Sequence, residues 1–202
     1  MDESTLINSA QRGDIDAFNT LVLSYQSQVY NVAYRIMGDQ APASDATQET
    51  FISAFKHLKG YRGGSFKSWL LRMVTNACYD ALRYSKRRPA TSLDAMGEDS
   101  DDSGNDSGGG YAEFIASDAE SPAEAAERHE LRRAIAKGLK GLPPDQRITF
   151  VLSDVQGMSY DEIADAMQTT LGTVKSRLSR ARARLRDYLL TETELIGDGR
   201  RH

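Results

Sequence analysis

Between Thr170 and Leu190 the chain carries six cations, Lys175, Arg177, Arg180, Arg182, Arg184 and Arg186, against one acid, Asp187. An arginine can grip guanine with two parallel N–H groups, while lysines and small hydroxyls suit phosphates or several bases. On a helix, Thr173, Ser176, Arg177, Arg180 and Arg184 fall together on one polar face, with Lys175 beside them. An ordinary solvated face mixes acids among its bases, and pairs four residues apart then offset repulsion. Here the acids are nearly absent, so the composition points to a polyanion. Arg182, Arg184 and Arg186 suit phosphates or open solvent.

The elements that must position these groups are legible nearby. Val174, Leu178, Ala181, Leu185 and Leu189 recur every three or four residues and form one apolar face. Upstream, Ser159 and Glu162 have the spacing of a capping box, and Ile163, Ala164 and Met167 continue as a short apolar stripe. Thr169 or Thr170 can cap the second helix. Two helices joined by a short turn, the second one basic, are the pattern of a helix-turn-helix and name double-stranded DNA as the ligand class.

Composition narrows the remaining classes. The 202-residue chain has one cysteine, Cys78, so no intrachain disulfide can form, which suits a reducing cytoplasm. Cys78 lies among Met73, Val74 and Ala77 in a helical apolar pattern and reads as a buried structural thiol. Three scattered histidines and that cysteine make no metal constellation. There is no glycine-rich phosphate loop and no nucleophile motif, so the expectation is a protein that is not an enzyme and needs no cofactor. The first residues have neither the basic nor the apolar segment of a signal peptide, and no run approaches membrane-spanning length.

The net charge of −4 conceals an asymmetry. Residues 1–89 carry a net +3, residues 90–127 a net −11 without a single lysine or arginine, and residues 128–202 a net +4. The middle stretch is acidic, Gly/Ser-rich and of low complexity, too polar to bury a core. The expected fold is all-α. Residues 1–89 and 122–190 form two small helical domains, 90–121 a flexible acidic linker, and 191–202 a frayed polar tail. The C-terminal domain is a helix-turn-helix of winged-helix-like type.

In the first domain, Phe18, Leu21, Val22, Tyr25, Val29, Val32, Ala33 and Ile36 keep helical spacing until Gly38-Asp39 ends the run. Residues 43–58 predict a second helix, with Ala46, Thr50, Ala54 and Leu58 along one side. Phe66, Trp69, Leu70, Met73, Val74, Ala77 and Ala81 predict a third, ending at the basic cluster Lys86-Arg87-Arg88. The turn-rich Gly60-Tyr61-Arg62-Gly63-Gly64-Ser65 separates the last two. In the second domain, helices are expected from 122 to about 140 and from Pro143 to Val155, before the helix-turn-helix.

Both halves together resemble a bacterial RNA polymerase sigma factor of the extracytoplasmic-function type (ECF, group four). The resemblance rests on Asp45-Ala46-Thr47-Gln48-Glu49-Thr50-Phe51 and Phe66-Lys67-Ser68-Trp69-Leu70 in the first half. In the second half it rests on Leu142-Pro143-Pro144-Asp145-Gln146-Arg147, Gly157-Met158-Ser159-Tyr160-Asp161-Glu162-Ile163-Ala164 and Gly172-Thr173-Val174-Lys175-Ser176-Arg177-Leu178. Ala46-Thr47 departs from the acidic and leucine-like residues usual near that point.

The resemblance implies that the helix bearing Asp45, Gln48, Glu49 and Phe51 binds the clamp helices of the core polymerase's largest subunit. It implies that the −10 promoter element is captured around Tyr61, Ser65, Phe66, Lys67, Trp69 and Asn76, with Lys86, Arg87 and Arg88 as a backbone track. Opened DNA offers unstacked bases, which aromatic and polar groups can receive. Trp69 also fits the apolar period of its helix, and Phe66 and Tyr61 fit core and pocket equally. The −35 element falls to Thr173, Lys175, Ser176, Arg177, Arg180 and Arg184, and the flap of the second-largest subunit to an apolar surface of the same domain. Promoter DNA and core polymerase are the implied partners, with an anti-sigma factor as a possible controller and no membrane insertion.

A stand-alone helix-turn-helix regulator that binds an operator as a dimer is the other reading, and it leaves the first domain's motifs without a role. The acidic linker reads either as a plain tether or as a competitor for the basic recognition helix.

Overall fold

The computed structural model describes residues 2–87 and 122–199, with side-chain surroundings for 2–85 and 128–192. All regular elements among them are helical. They are α1 (Glu3–Gln11), α2 (Ile15–Met37), α3 (Gln40–His57), a 3-10 turn (Leu58–Gly60), α4 (Phe66–Arg87), α5 (Pro122–Lys140), α6 (Pro144–Phe150), a π turn (Val151–Val155), α7 (Tyr160–Ala166) and α8 (Leu171–Gly199).

Local chemistry sets most boundaries. Asp14 caps α2 by accepting the backbone N–H groups of Asp16 and Ala17, both at 3.0 Å. Gly38, at φ +73°, ends α2 in the left-handed conformation that glycine adopts without strain, and its N–H returns to the Tyr34 carbonyl at 2.8 Å. Asp39 at once caps α3 through the Ala41 N–H at 3.0 Å.

Four boundaries differ from the sequence reading. Helix α1 was not expected, because its nine residues hold Leu6, Ile7 and Ala10 in too short a span to establish a period. Helix α3 starts at Gln40, where Asp39 caps it, rather than at 43. Pro143 is the N-cap of α6 and Pro144 its first residue, and the expected helix to Val155 widens into a π turn after Phe150. The expected tail is helical through Gly199, a continuation of α8 that carries Gly197 within it. The acidic stretch 90–121 lies outside the described residues.

Helices α1 to α4 pack around Leu21, Val29, Val32, Ile36, Leu58, Phe66, Leu70 and Val74, all at most 2% exposed. The second half does not stand apart. Ile148, Val151, Leu152, Met158 and Ile163 join the same apolar cluster, while Leu139, Leu142, Ala181 and Leu185 form a smaller one between α5 and α8. Each fully buried Leu, Ile or Val side chain contributes about 1.5–3 kcal/mol.

Polar ties cross the joint. Arg147, 7% exposed, donates to the Ile36 carbonyl at 2.6 Å and to the Lys140 and Leu142 carbonyls at 2.7 and 3.1 Å. Gln28 donates to Gln156 Oε1 at 2.7 Å, and Tyr79 to Asp145 at 2.6 Å.

Candidate nucleic-acid interface

The capping box anticipated at Ser159 is formed. Glu162 accepts the Ser159 N–H at 2.9 Å, and Ser159 Oγ accepts the Glu162 N–H at 3.3 Å. The turn after α7 places Gln168 at φ +47°, and Thr170 rather than Thr169 caps α8, accepting the Thr173 N–H at 3.2 Å. Val174, Leu178, Ala181 and Leu185 are buried as the period requires. That rotation leaves Lys175, Ser176, Arg180 and Arg184 exposed on the outer face, with Thr173 half-buried beside its cap.

Three basic residues of α8 are occupied, Arg186 by its neighbour Asp187 through Nε and Nη2 at 3.1 and 2.9 Å. Arg177 donates to Asp145 of α6, the carboxylate that also receives the Tyr79 hydroxyl, and its side chain is only 22% exposed. Arg182 donates through Nε and Nη2 to both oxygens of Asp154, at 2.9 and 2.6 Å. That bidentate pair, before its other causes, holds the Asp154 carboxyl below its ordinary range and raises the Arg182 guanidinium above its own. The acids that hold Arg177 and Arg182 therefore come from α6 and the π turn, where a search within the helix cannot find them.

The loop before α4 makes the second surface. Gly63 and Gly64 sit at φ +96° and +92°, a pair of left-handed positions that favours glycine. Ser65 caps α4 by accepting the Ser68 N–H at 3.1 Å, and the Tyr61 hydroxyl donates to the Gly64 carbonyl at 2.7 Å. The Tyr61 ring lies 5.2 Å from that of Trp69 and 5.5 Å, edge-on, from that of Phe66. Burial, with the Glu3 carboxylate nearby, raises the Tyr61 phenol above its ordinary pKa.

Phe66 is 2% exposed and packs in the core, the one of its two expected places that the free chain occupies. Tyr61 and Trp69 are half-buried, Ser65 and Asn76 exposed, and Lys67 reaches the Gln156 carbonyl at 3.4 Å. Lys86 and Arg87 lie in α4 with side chains outside the described set, and Arg88 lies outside the described residues.

Two clefts of about 330 Å³ each meet at Trp69. One is lined by Tyr61, Arg62, Gly63, Gly64 and Ser65 of the loop, with Met158, Glu162 and Asp165 on the α7 side. The other runs between α3 and α4 past Glu49, Ser53, His57, Met73, Asn76 and Asp80. Arg72 borders both clefts and was missed by sequence reading. Its signal was present: it stands three residues after Trp69 and four before Asn76, on one helical face.

Asp45, Gln48 and Glu49 are exposed on α3, whereas Phe51 is half-buried, one side packed against the core. The same outer face carries Ile52 and Phe55, 47% and 53% exposed, which polar neighbours hid in the sequence. Ala46 is buried, and the Thr47 hydroxyl donates to the Ala43 carbonyl at 2.7 Å, so the residues that depart from the family pattern serve the helix itself.

Cys78 is fully buried, and desolvation pushes its thiol up to about 12, which keeps it protonated and unreactive. Among the described residues no group of three or more His, Cys, Asp or Glu could hold a metal ion, and no helix is long and apolar enough to cross a membrane.

Residues 21–88 match the family model of Sigma-70 region 2, and residues 128–185 that of Sigma-70, region 4. The chain is 36% identical over 181 residues to the RNA polymerase sigma-H factor of Pseudomonas aeruginosa, covering 89% of this chain and 90% of that one. It is 36% identical over 173 residues to the ECF RNA polymerase sigma factor SigE of Mycolicibacterium smegmatis, covering 86% of this chain and spanning 62% of that relative's length. Among solved structures, the sigma factor RpoE of Bartonella quintana, in complex with the anti-sigma factor NepR, superposes with a TM-score of 0.62. It shares 28% identity, covering 85% of this chain and 96% of that one.

Proposed function

The chain belongs to the ECF sigma factors of bacterial RNA polymerase, and we propose that it directs core polymerase to promoters through two separate grips on DNA. It serves as an initiation factor, with no catalysis of its own. The observation that carries this reading is the pairing of a region 2 unit and a region 4 unit in one chain. A stand-alone operator-binding regulator needs only the second, and residues 21–88 have no role in it.

In this reading the outer face of α8 enters the major groove at the −35 element. Lys175, Ser176, Arg180 and Arg184 are free to reach DNA, Thr173 stands at the helix start, and Arg177 joins them on leaving Asp145. The loop at 61–65, with Lys67, Trp69, Arg72 and Asn76, receives opened −10 DNA, and Lys86, Arg87 and Arg88 follow its backbone. Asp45, Gln48 and Glu49, together with exposed Ile52 and Phe55, face the clamp helices of the largest subunit. Residues 1–89 and 122–190 are the functional units and 90–121 joins them.

The protein acts in the cytoplasm, where polymerase and chromosome are. Control by an anti-sigma factor is supported by the similarity to RpoE, whose solved structure holds one.

Reconstituted transcription with bacterial core polymerase on a promoter library tests the reading. Start sites that appear only with this chain, and share −10 and −35 sequences, are expected. Absence of both core binding and new start sites would sink it.

A further inference from the structure

A side chain from α1 holds the loop that opens α4. Gln11 is the last residue of α1 and lies outside both stretches that match the family models. Its Nε2 donates to the Leu58 carbonyl at 3.0 Å and to the Tyr61 carbonyl at 2.8 Å. Both partners are acceptors, so the amide must turn its NH2 toward them, and each of its two hydrogens has a destination. The Leu58 carbonyl also accepts the Tyr61 backbone N–H at 3.0 Å, which closes the 3-10 turn. Gln11 thus fastens the two ends of that turn to a neighbouring helix.

The other side-chain hydrogen bonds of the loop are local, Tyr61 to Gly64 and Ser68 to Ser65, while Leu58 sits in the core and the Tyr61 ring packs on Phe66 and Trp69. Between them stand the two left-handed glycines, which have little conformational preference of their own. The path of this segment is therefore set by its anchors. Tyr61 is the sensitive point, because its carbonyl is the group Gln11 holds while its ring lines the cleft. A shift of that peptide moves the ring.

We propose that Gln11 is a positioning residue for promoter reading: by holding the Leu58 and Tyr61 carbonyls it sets the loop over its cleft, and so governs selectivity at the −10 element without touching DNA. This rests on the reading of residues 61–65 as part of the −10 grip. It assigns a promoter-reading role to α1.

The test uses the full chain with core polymerase on templates randomised separately at −10 and −35. Gln11→Met keeps length and loses both donors, while Gln11→Glu sets a carboxylate against two carbonyls. In both, preference for the best −10 sequence over its single-base variants should fall about two- to tenfold, the scale of one lost hydrogen bond. Preference at −35 and affinity for core should stay as in the wild type.

An unchanged −10 preference overturns the proposal. So does a parallel fall at −10 and −35, which marks general loosening of the fold. Should Gln11→Met fail to fold, Gln11→Asn keeps the amide one methylene short of both carbonyls. Its loop amides at Gly63 and Gly64 should exchange faster than in the wild type, and unchanged exchange again overturns the proposal. A wild-type holoenzyme with no −10 preference at all would instead remove the reading of the loop, and the inference with it.

Discussion

Ser68 Oγ donates a hydrogen bond to Glu162 Oε1 at 2.7 Å. The carboxylate that completes the α7 capping box is thus also held by the helix that follows the 61–65 loop, 94 residues earlier in the chain. Helix α7 consequently stands at the mouth of the loop's cleft, with Met158, Glu162 and Asp165 on its wall. The loop before α4 and helix α7 thus share one cleft.

That contact makes acid sensitivity predictable. The hydrogen bond from Ser68 first, and the Ser159 N–H next, hold the Glu162 carboxyl below its ordinary range, with Lys67 nearby adding to the effect. A carboxylate depressed in the folded state adds stability above its unfolded pKa and loses it as pH falls through the folded value. The α4–α7 tie is therefore intact at neutral pH and weakens on acidification below the usual glutamate range. In Ser68→Ala the Glu162 titration should move up toward that range, as read by carboxyl-carbon NMR. An unmoved titration would refute the assigned cause.

Arg147 offers a larger effect. Burial lowers its pKa, yet three carbonyls from α2, α5 and the turn before α6 surround the guanidinium. Arg147→Met should cost about 2–4 kcal/mol in urea unfolding, because buried carbonyls lose their donor. Lysine cannot serve three divergent acceptors as the guanidinium does, so Arg147→Lys should recover only part of the loss.

The joint between the two halves can be loosened at the Gln28–Gln156 contact, where the Gln156 backbone carbonyl also receives Lys67. Gln28 and Gln156 meet at 2.7 Å, and the double change Gln28→Glu with Gln156→Glu sets two carboxylates against each other there. The free protein should expand in small-angle scattering, whereas Gln28→Lys with Gln156→Glu should stay as compact as the wild type. Binding of a fluorescent single-stranded DNA at low salt should rise in the expanded variant, because Glu162 and Asp165 leave the mouth of the cleft. Expansion without tighter binding would show that α7 does not obstruct it.

On α8 the two kinds of contact should separate. Lys175→Ala should weaken −35 duplex binding by the holoenzyme about equally for all sequences and reduce the salt slope by about 0.9. Arg180→Ala should cost about 1–3 kcal/mol on the preferred −35 sequence and relax preference at one position. Anisotropy titrations across a salt series on preferred and altered duplexes distinguish them.

Short-range rules were legible in the chain before any packing was known. The Ser159–Glu162 box, the stop at Gly38, and the buried stripe Val174, Leu178, Ala181 and Leu185 all depend on residues within a turn or two of each other. Only the tertiary structure decided what covers each face. Phe66 and Phe55 look alike in the sequence, but one is sealed in the core and the other stands half-exposed on the outer side of α3. Arg177 finds Asp145 across 32 residues, and Gln11 finds Tyr61 across 50. A helical period says which side of a helix is apolar. How helices cross decides which side chains come within hydrogen-bond reach, and that geometry brought α7 to the 61–65 loop and gave α1 a hold on it.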